Sequence, residues 1–158
     1  MTQVVVSSDR NLRQQIWAGR HELAADEPQS LGGDDSAPNP YELLLGALGA
    51  CTSMTLQLYA RRKNWPLEAV EIRLQHDRIH GQDCADCTSE QQSVAEKGFL
   101  DVVRKEIALS GPLTAEQVAR LAEIAELCPV NRTLRQSVRT TQAVHLAPPP
   151  PASPEALR

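Results

Sequence analysis

Aromatic side chains are scarce in this chain: two Trp, two Tyr and one Phe among 158 residues. A core built from it has to be packed with Leu, Val, Ile and Ala, since the large rings that dominate many interiors are missing. Basic clusters are scarce as well. None is longer than Arg61-Arg62-Lys63, and the net charge is −4 with a pI of 5.6. That balance excludes a nucleic-acid or anionic-membrane surface as the main partner. The opening residues, MTQVVVSSDR, lack a basic stretch followed by an apolar one, so no secretory leader is expected. The longest unbroken apolar-plus-glycine run covers residues 43–51, short for a bilayer span. These shortages point to a cytoplasmic, reducing location. There the four cysteines read as thiols, metal ligands or redox centres rather than structural staples.

What is present suits one domain, residues 1–146, followed by a proline-rich tail, 147–158, expected to be disordered or extended. Gln3–Ser7 and Leu12–Ala18 have strand character across a polar turn, and His21–Ala25 is a third candidate strand. A loop rich in Asp, Gly, Ser and Pro follows. Asn39 as a cap, Pro40 at the first helical position and Glu42 three residues after the cap start a helix expected to reach about Asn64. Its first half is apolar on every side, the mark of a helix enclosed by other elements. Gly46 and Gly49 would each cost an exposed helix about 1 kcal/mol, so close backbone approach or a bend is expected there. Strands are expected over Ala69–His80 and around Val102–Leu109. Thr114 with Gln117 forms a capping box ahead of a face of Val118, Leu121, Ala122 and Ala125. Three residues further that face reaches Cys128. Pro129 then begins a short helix to Gln136, and a last strand is expected over Ser137–Leu146.

Two cysteines interrupt apolar helical surroundings. Cys51 lies within PNPYELLLGALGACTSMT, with Leu44, Leu45, Leu48 and Met54 around it, and Cys128 stands before the helix at Pro129. A free buried cysteine is most often a small hydrophobe. A thiol at a helix start, however, faces unpaired backbone N–H groups, which favour the thiolate. The spacing does not by itself bring the two sulfurs together. The other pair, Cys84 and Cys87 in HGQDCADCTSE, has metal-ligand spacing with His80, and His76 would share its strand face. Only one such knuckle exists, and Asp83 and Asp86 oppose thiolate formation, so a plain loop with no bound metal is expected.

GGDDSAPNPYELLLGALGACTSMT, with ELCPVNRTL downstream, resembles the OsmC/Ohr family of thiol-dependent hydroperoxide reductases. The segment Ala18–Pro28 and the DC-x-x-C loop at Asp83–Cys87 are similar to one OsmC-like branch. The resemblance covers residues 3–146. It implies an α+β fold with antiparallel sheets around a central buried helix, and an intertwined homodimer. It implies that Cys51 attacks the peroxide and Cys128 resolves the product, with organic hydroperoxides as substrate and no cofactor. A lipoyl-type dithiol would be the reductant and oxidative-stress defence the role. The sequence departs from the family in two places. Tyr41 stands where a glutamate usually follows the N-P pair, and Asn131 replaces the histidine of C-P-V-H. Candidate activators are Arg20, with Arg13 as an alternative, and Glu42. Glu42 lies nine residues before Cys51, about 13.5 Å along a straight helix and on its opposite side, which suits a helix cap better. Two other functions stay open: a non-catalytic small-ligand module of the same fold, and a zinc-binding protein through His80, Cys84 and Cys87.

Overall fold

The computed structural model describes residues 3–8, 10–80, 98–136 and 140–144. These residues fall into two compact units, one holding the chain up to Leu44 together with residues 140–144 and the other spanning Leu45–Gln136. The fold is α+β, with antiparallel sheets and, among the described residues, three α-helices.

The first unit holds a three-stranded antiparallel meander, β1 (Val4–Ser8), β2 (Gln14–Ala18) and β3 (His21–Ala25). Val4 pairs with Ala18, and Ala18 with His21. Beyond β3 the chain makes a single 3-10 turn, Gln29–Leu31, in a loop organised by one buried carboxylate. Asp26 is 1% exposed, and it accepts from the backbone N–H groups of Glu27 at 2.9 Å, Asp34 at 3.3 Å and Ser36 at 3.1 Å. The Ser36 hydroxyl donates at 2.8 Å. Four donors make burial of the charge tolerable. Gly33 is required on the opposite wall, since a Cβ there would collide with the Glu27 carbonyl.

The long helix α1 (Pro40–Lys63) starts as expected. Asn39 Oδ1 accepts from the Glu42 N–H at 3.0 Å, and the Asn39 N–H donates to the Glu42 carboxylate at 2.8 Å. The helix ends in a Schellman arrangement, with Asn64 at φ 54°, its N–H on the Arg61 carbonyl and the Trp65 N–H on the Ala60 carbonyl. Arg61, Arg62 and Lys63 complement the negative end of the dipole. By length and composition α1 could cross a membrane, its best window reaching a mean hydropathy of 1.4. The broken apolar run in the sequence had suggested otherwise. Leu48, Thr52, Leu56 and Ala60 are nevertheless buried within the chain, so one side of α1 serves as core.

In the second unit, β4 (Ala69–His80) and β5 (Phe99–Ser110) pair antiparallel along their whole length, from Ala69 with Ser110 to His80 with Phe99. Helix α2 (Ala115–Ala125) has the Thr114–Gln117 capping box. Its core face is Leu121, Ile124 and Ala125; Val118, expected on that face, is exposed. Leu56, Leu121, Ile124 and Ala125 form the core cluster, flanked by Tyr59, Trp65, Leu67, Val70, Ile107 and Leu109. Helix α3 (Pro129–Arg135) follows directly. Of the two helical glycines only Gly49 serves close packing: a Cβ there would stand 2.8 Å from a Leu74 methyl, whereas nothing lies within 4 Å at Gly46. Residues 140–144 are not a strand, which corrects the expectation of one over Ser137–Leu146 for that stretch. The rest of that segment, the Cys84–Cys87 loop and the tail lie outside the described residues.

The Asp26 cluster has a pH signature. The Ser36 hydroxyl and the surrounding N–H groups hold its carboxyl below the ordinary 3.8. Because the folded value lies below the unfolded one, the stabilisation is fully present above about 3.8 and is lost as pH falls through the folded value. Asp26→Ala is expected to lower the melting temperature at neutral pH by more than Asp34→Ala. It should also flatten the decline in stability between pH 5 and 2, which thermal melts across that range would read.

Candidate functional site

The site lies where α1 meets the α2–α3 corner, and all its residues belong to the second unit. Pro129 is responsible for the corner. It cannot extend α2, but its fixed φ suits the first position of a new helix, which makes Cys128 the N-cap of α3. Pro129 offers no N–H, so the first free donors of α3 are Val130 and Asn131. The Asn131 N–H donates to Cys128 Sγ at 3.5 Å. Cys128 is fully buried, 0% exposed, and continues the Leu121, Ile124 and Ala125 face as its spacing indicated.

Cys51 lies midway along α1 and is half-buried. The enclosure expected from its neighbours is one-sided within the chain. Leu48 is buried, but Leu44 is 39% and Met54 62% exposed. The two thiols, which sequence spacing could not bring together, lie close enough to shift each other's ionisation, and both are free. Burial raises the Cys51 thiol above its ordinary value, and the neighbouring Cys128 thiol raises it further. For Cys128 burial pushes upward too. It is outweighed by the neighbouring Cys51 thiol, the N–H groups of Asn131 and Val130, and the Thr52 hydroxyl, so this thiol is lowered. The two thiols titrate as a unit, with ionisation favoured on Cys128.

Sequence reasoning missed the polar residues around this pair. Thr52 is fully buried, and its hydroxyl donates to the Leu48 carbonyl at 2.8 Å while lying against Cys128. A hydroxyl has one proton, so it can turn from carbonyl to sulfur as charge develops there. The signal was a Thr facing inward beside an apolar run. Asn131, noted only as a lost histidine, is a structural clamp. Its side-chain amide donates to the Glu126 carbonyl at 3.1 Å and carboxylate at 3.3 Å. Glu126 in turn pairs with Lys105 at 3.1 Å and Arg135 at 3.3 Å, and Lys105 foremost holds its carboxyl below the ordinary range.

The other candidates make local contacts of their own or are not described. Glu42 is engaged in the α1 capping box. Arg20 sits exposed in the β2–β3 turn, and Arg13 Nη1 donates to the Ser36 hydroxyl at 3.3 Å. His76 binds Asp101 at 3.0 Å, and His80 packs edge-on against Phe99. Among the described residues no group of three or more His, Cys, Asp or Glu is placed to hold a metal; Cys84 and Cys87 lie outside them.

The model of the OsmC-like protein family matches residues 33–142, which include both cysteines. The chain belongs to this family. Its solved structural relatives share the fold at low identity. An OsmC-like protein from Mycoplasma pneumoniae has a TM-score of 0.65 at 14% identity, covering 85% of this chain and 87% of the other. An organic hydroperoxide resistance protein OsmC from Legionella pneumophila gives 0.60 at 24%, covering 85% and 89%. The organic hydroperoxide resistance protein OhrB of Bacillus subtilis gives 0.56 at 21%, covering 85% and 90%. No curated protein matches this chain in sequence.

Proposed function

We propose that this OsmC-like protein is a thiol-dependent reductase of organic hydroperoxides, acting in the cytoplasm in oxidative-stress defence. The observation that carries the reading is the pairing of a half-buried Cys51 thiol with a fully buried Cys128 thiol near enough to shift its ionisation. The names of the Legionella and Bacillus relatives support the substrate class.

The paired thiol supplies the chemistry. With Cys128 ionised, passing the Cys51 proton to it creates a Cys51 thiolate without outside base. That thiolate attacks the distal oxygen of the hydroperoxide, the O–O bond breaks, and the departing alkoxide takes a proton to leave as alcohol. Cys51 becomes a sulfenic acid. The Cys128 sulfur attacks it, and a Cys51–Cys128 disulfide forms as water departs. An external dithiol, of lipoyl type, returns both thiols. Apolar side chains along α1 favour an organic peroxide over hydrogen peroxide. In this scheme Glu42 and Arg20 need no catalytic part, which accommodates Tyr41 at the usual glutamate position.

The working form is proposed to be a homodimer. On α1, Leu44, Met54 and Leu58 leave an apolar stripe around Cys51, with Leu58 64% exposed. A second copy covering that stripe would also form the outer wall of a peroxide pocket. Sedimentation at micromolar concentration is expected to give a dimer, and a stable folded monomer would refute it.

One observation favours the binding-module alternative. A groove of about 380 Å³ in the second unit is lined by Leu56, Ile107, Leu109, Val118 and Leu121, with Lys105 and Glu126 beside them. Turnover separates the two readings. With cumene hydroperoxide and a lipoyl dithiol, Cys51→Ser is expected to abolish consumption. Cys128→Ser should allow a single attack and leave a trappable sulfenic acid that over-oxidises in excess peroxide. Wild-type turnover in both variants would move the binding module ahead.

A further inference from the structure

Once a Cys51–Cys128 disulfide exists, the structure makes its two sulfurs unequal. Thiol–disulfide exchange needs the incoming sulfur in line with the bond being broken, so the attacked sulfur must have an open side facing away from its partner. Cys51 has one. It is half-buried on α1, and in the dimer proposed above its outer side faces the peroxide pocket. Cys128 has none, being 0% exposed between the buried Thr52 and the start of α3. The departing sulfur must also accept an electron pair, and Cys128 has a donor in place for it. The Asn131 N–H points at it from 3.5 Å, with the Thr52 hydroxyl alongside, while the Val130 N–H faces both sulfurs. Preorganised donors aimed at the atom that gains charge lower the barrier to its departure.

We infer that reduction of the pair runs in one direction: the reductant thiolate attacks Cys51, and Cys128 is always the leaving sulfur. This rests on the redox-pair reading above and adds the polarity of its second half. In the first step the new bond joins the reductant sulfur to Cys51, the Cys51–Cys128 bond breaks, and its electron pair goes to Cys128 as a thiolate. In the second step the other thiol of the dithiol, as thiolate, attacks the reductant sulfur held on Cys51. The reductant closes to a cyclic disulfide and Cys51 leaves, taking up the proton released by the dithiol. Two electrons have passed from dithiol to protein. Cys51 is thus the only point of contact with both oxidant and reductant, and a monothiol stalls the cycle as a Cys51 adduct.

The full-length chain tests this without any peroxide. Its disulfide is formed with diamide, challenged briefly with 2-mercaptoethanol, quenched with N-ethylmaleimide in acid and mapped by peptide mass. The expected product carries mercaptoethanol on Cys51 and maleimide on Cys128, in excess over the reverse by about tenfold or more. Mercaptoethanol on Cys128, or equal labelling of the two, overturns the polarity and leaves the redox-pair reading standing. Failure of diamide to form any Cys51–Cys128 bond overturns both.

Discussion

Two thiols brought side by side, with ionisation favoured on one of them, are the constraint around which the second unit is arranged. Neither thiol is in a remarkable place by itself, since buried cysteines are common. Their meeting requires α1 to lie close to the sheet, which Gly49 permits against Leu74, and α2 to stop one residue past its core face. Pro129 then restarts the helix with Cys128 at its cap. A thiol pair in such a position titrates as a unit, and its two apparent values belong to the pair. The charge is steered to Cys128 by a nearby set of neutral dipoles rather than by a cation. Neutral donors can stabilise a transient thiolate without locking it in place, which a buried guanidinium would do.

The same device recurs in the first unit with a different purpose. Asp26 is buried and charged, and three N–H groups and a hydroxyl satisfy it. There the donors are fixed in a loop, and the result is rigidity. Around the thiols one donor, Thr52, has an alternative acceptor in the Leu48 carbonyl, and the result is a charge that can move. The Lys105–Glu126–Asn131 chain links the two ideas. It is an ion pair at its outer end, and at its inner end it fixes the residue whose backbone faces Cys128.

Much of this was legible in the sequence because it depends on local rules. Capping residues placed the starts of α1 and α2, and the strand over Ala69–His80 followed from alternation of apolar residues. Cys51 and Cys128 could be singled out from their surroundings and from family resemblance. Their contact could not, because 77 residues separate them in the chain (128 − 51) and only packing sets the distance. Helical periodicity also misjudged Val118, since burial depends on which side of α2 meets the core, and Ile124 takes that place. The all-round apolar character of α1 suggested enclosure, yet within the chain only the Leu48, Thr52, Leu56 and Ala60 side is covered. An apolar pattern states that a surface must be covered, not by which chain. Asn131 was legible only as a departure; its role as a clamp depends on Glu126 standing where α2 ends.

The central claim, that Cys51 and Cys128 form a coupled pair with ionisation favoured on Cys128, is tested most directly by thiolate absorbance at 240 nm as a function of pH. Cys84→Ser with Cys87→Ser removes the other two thiols from the signal. The account predicts two separated steps of one thiolate each, one below and one above the ordinary 9.0. Both thiols rising together near 9.0 would contradict it.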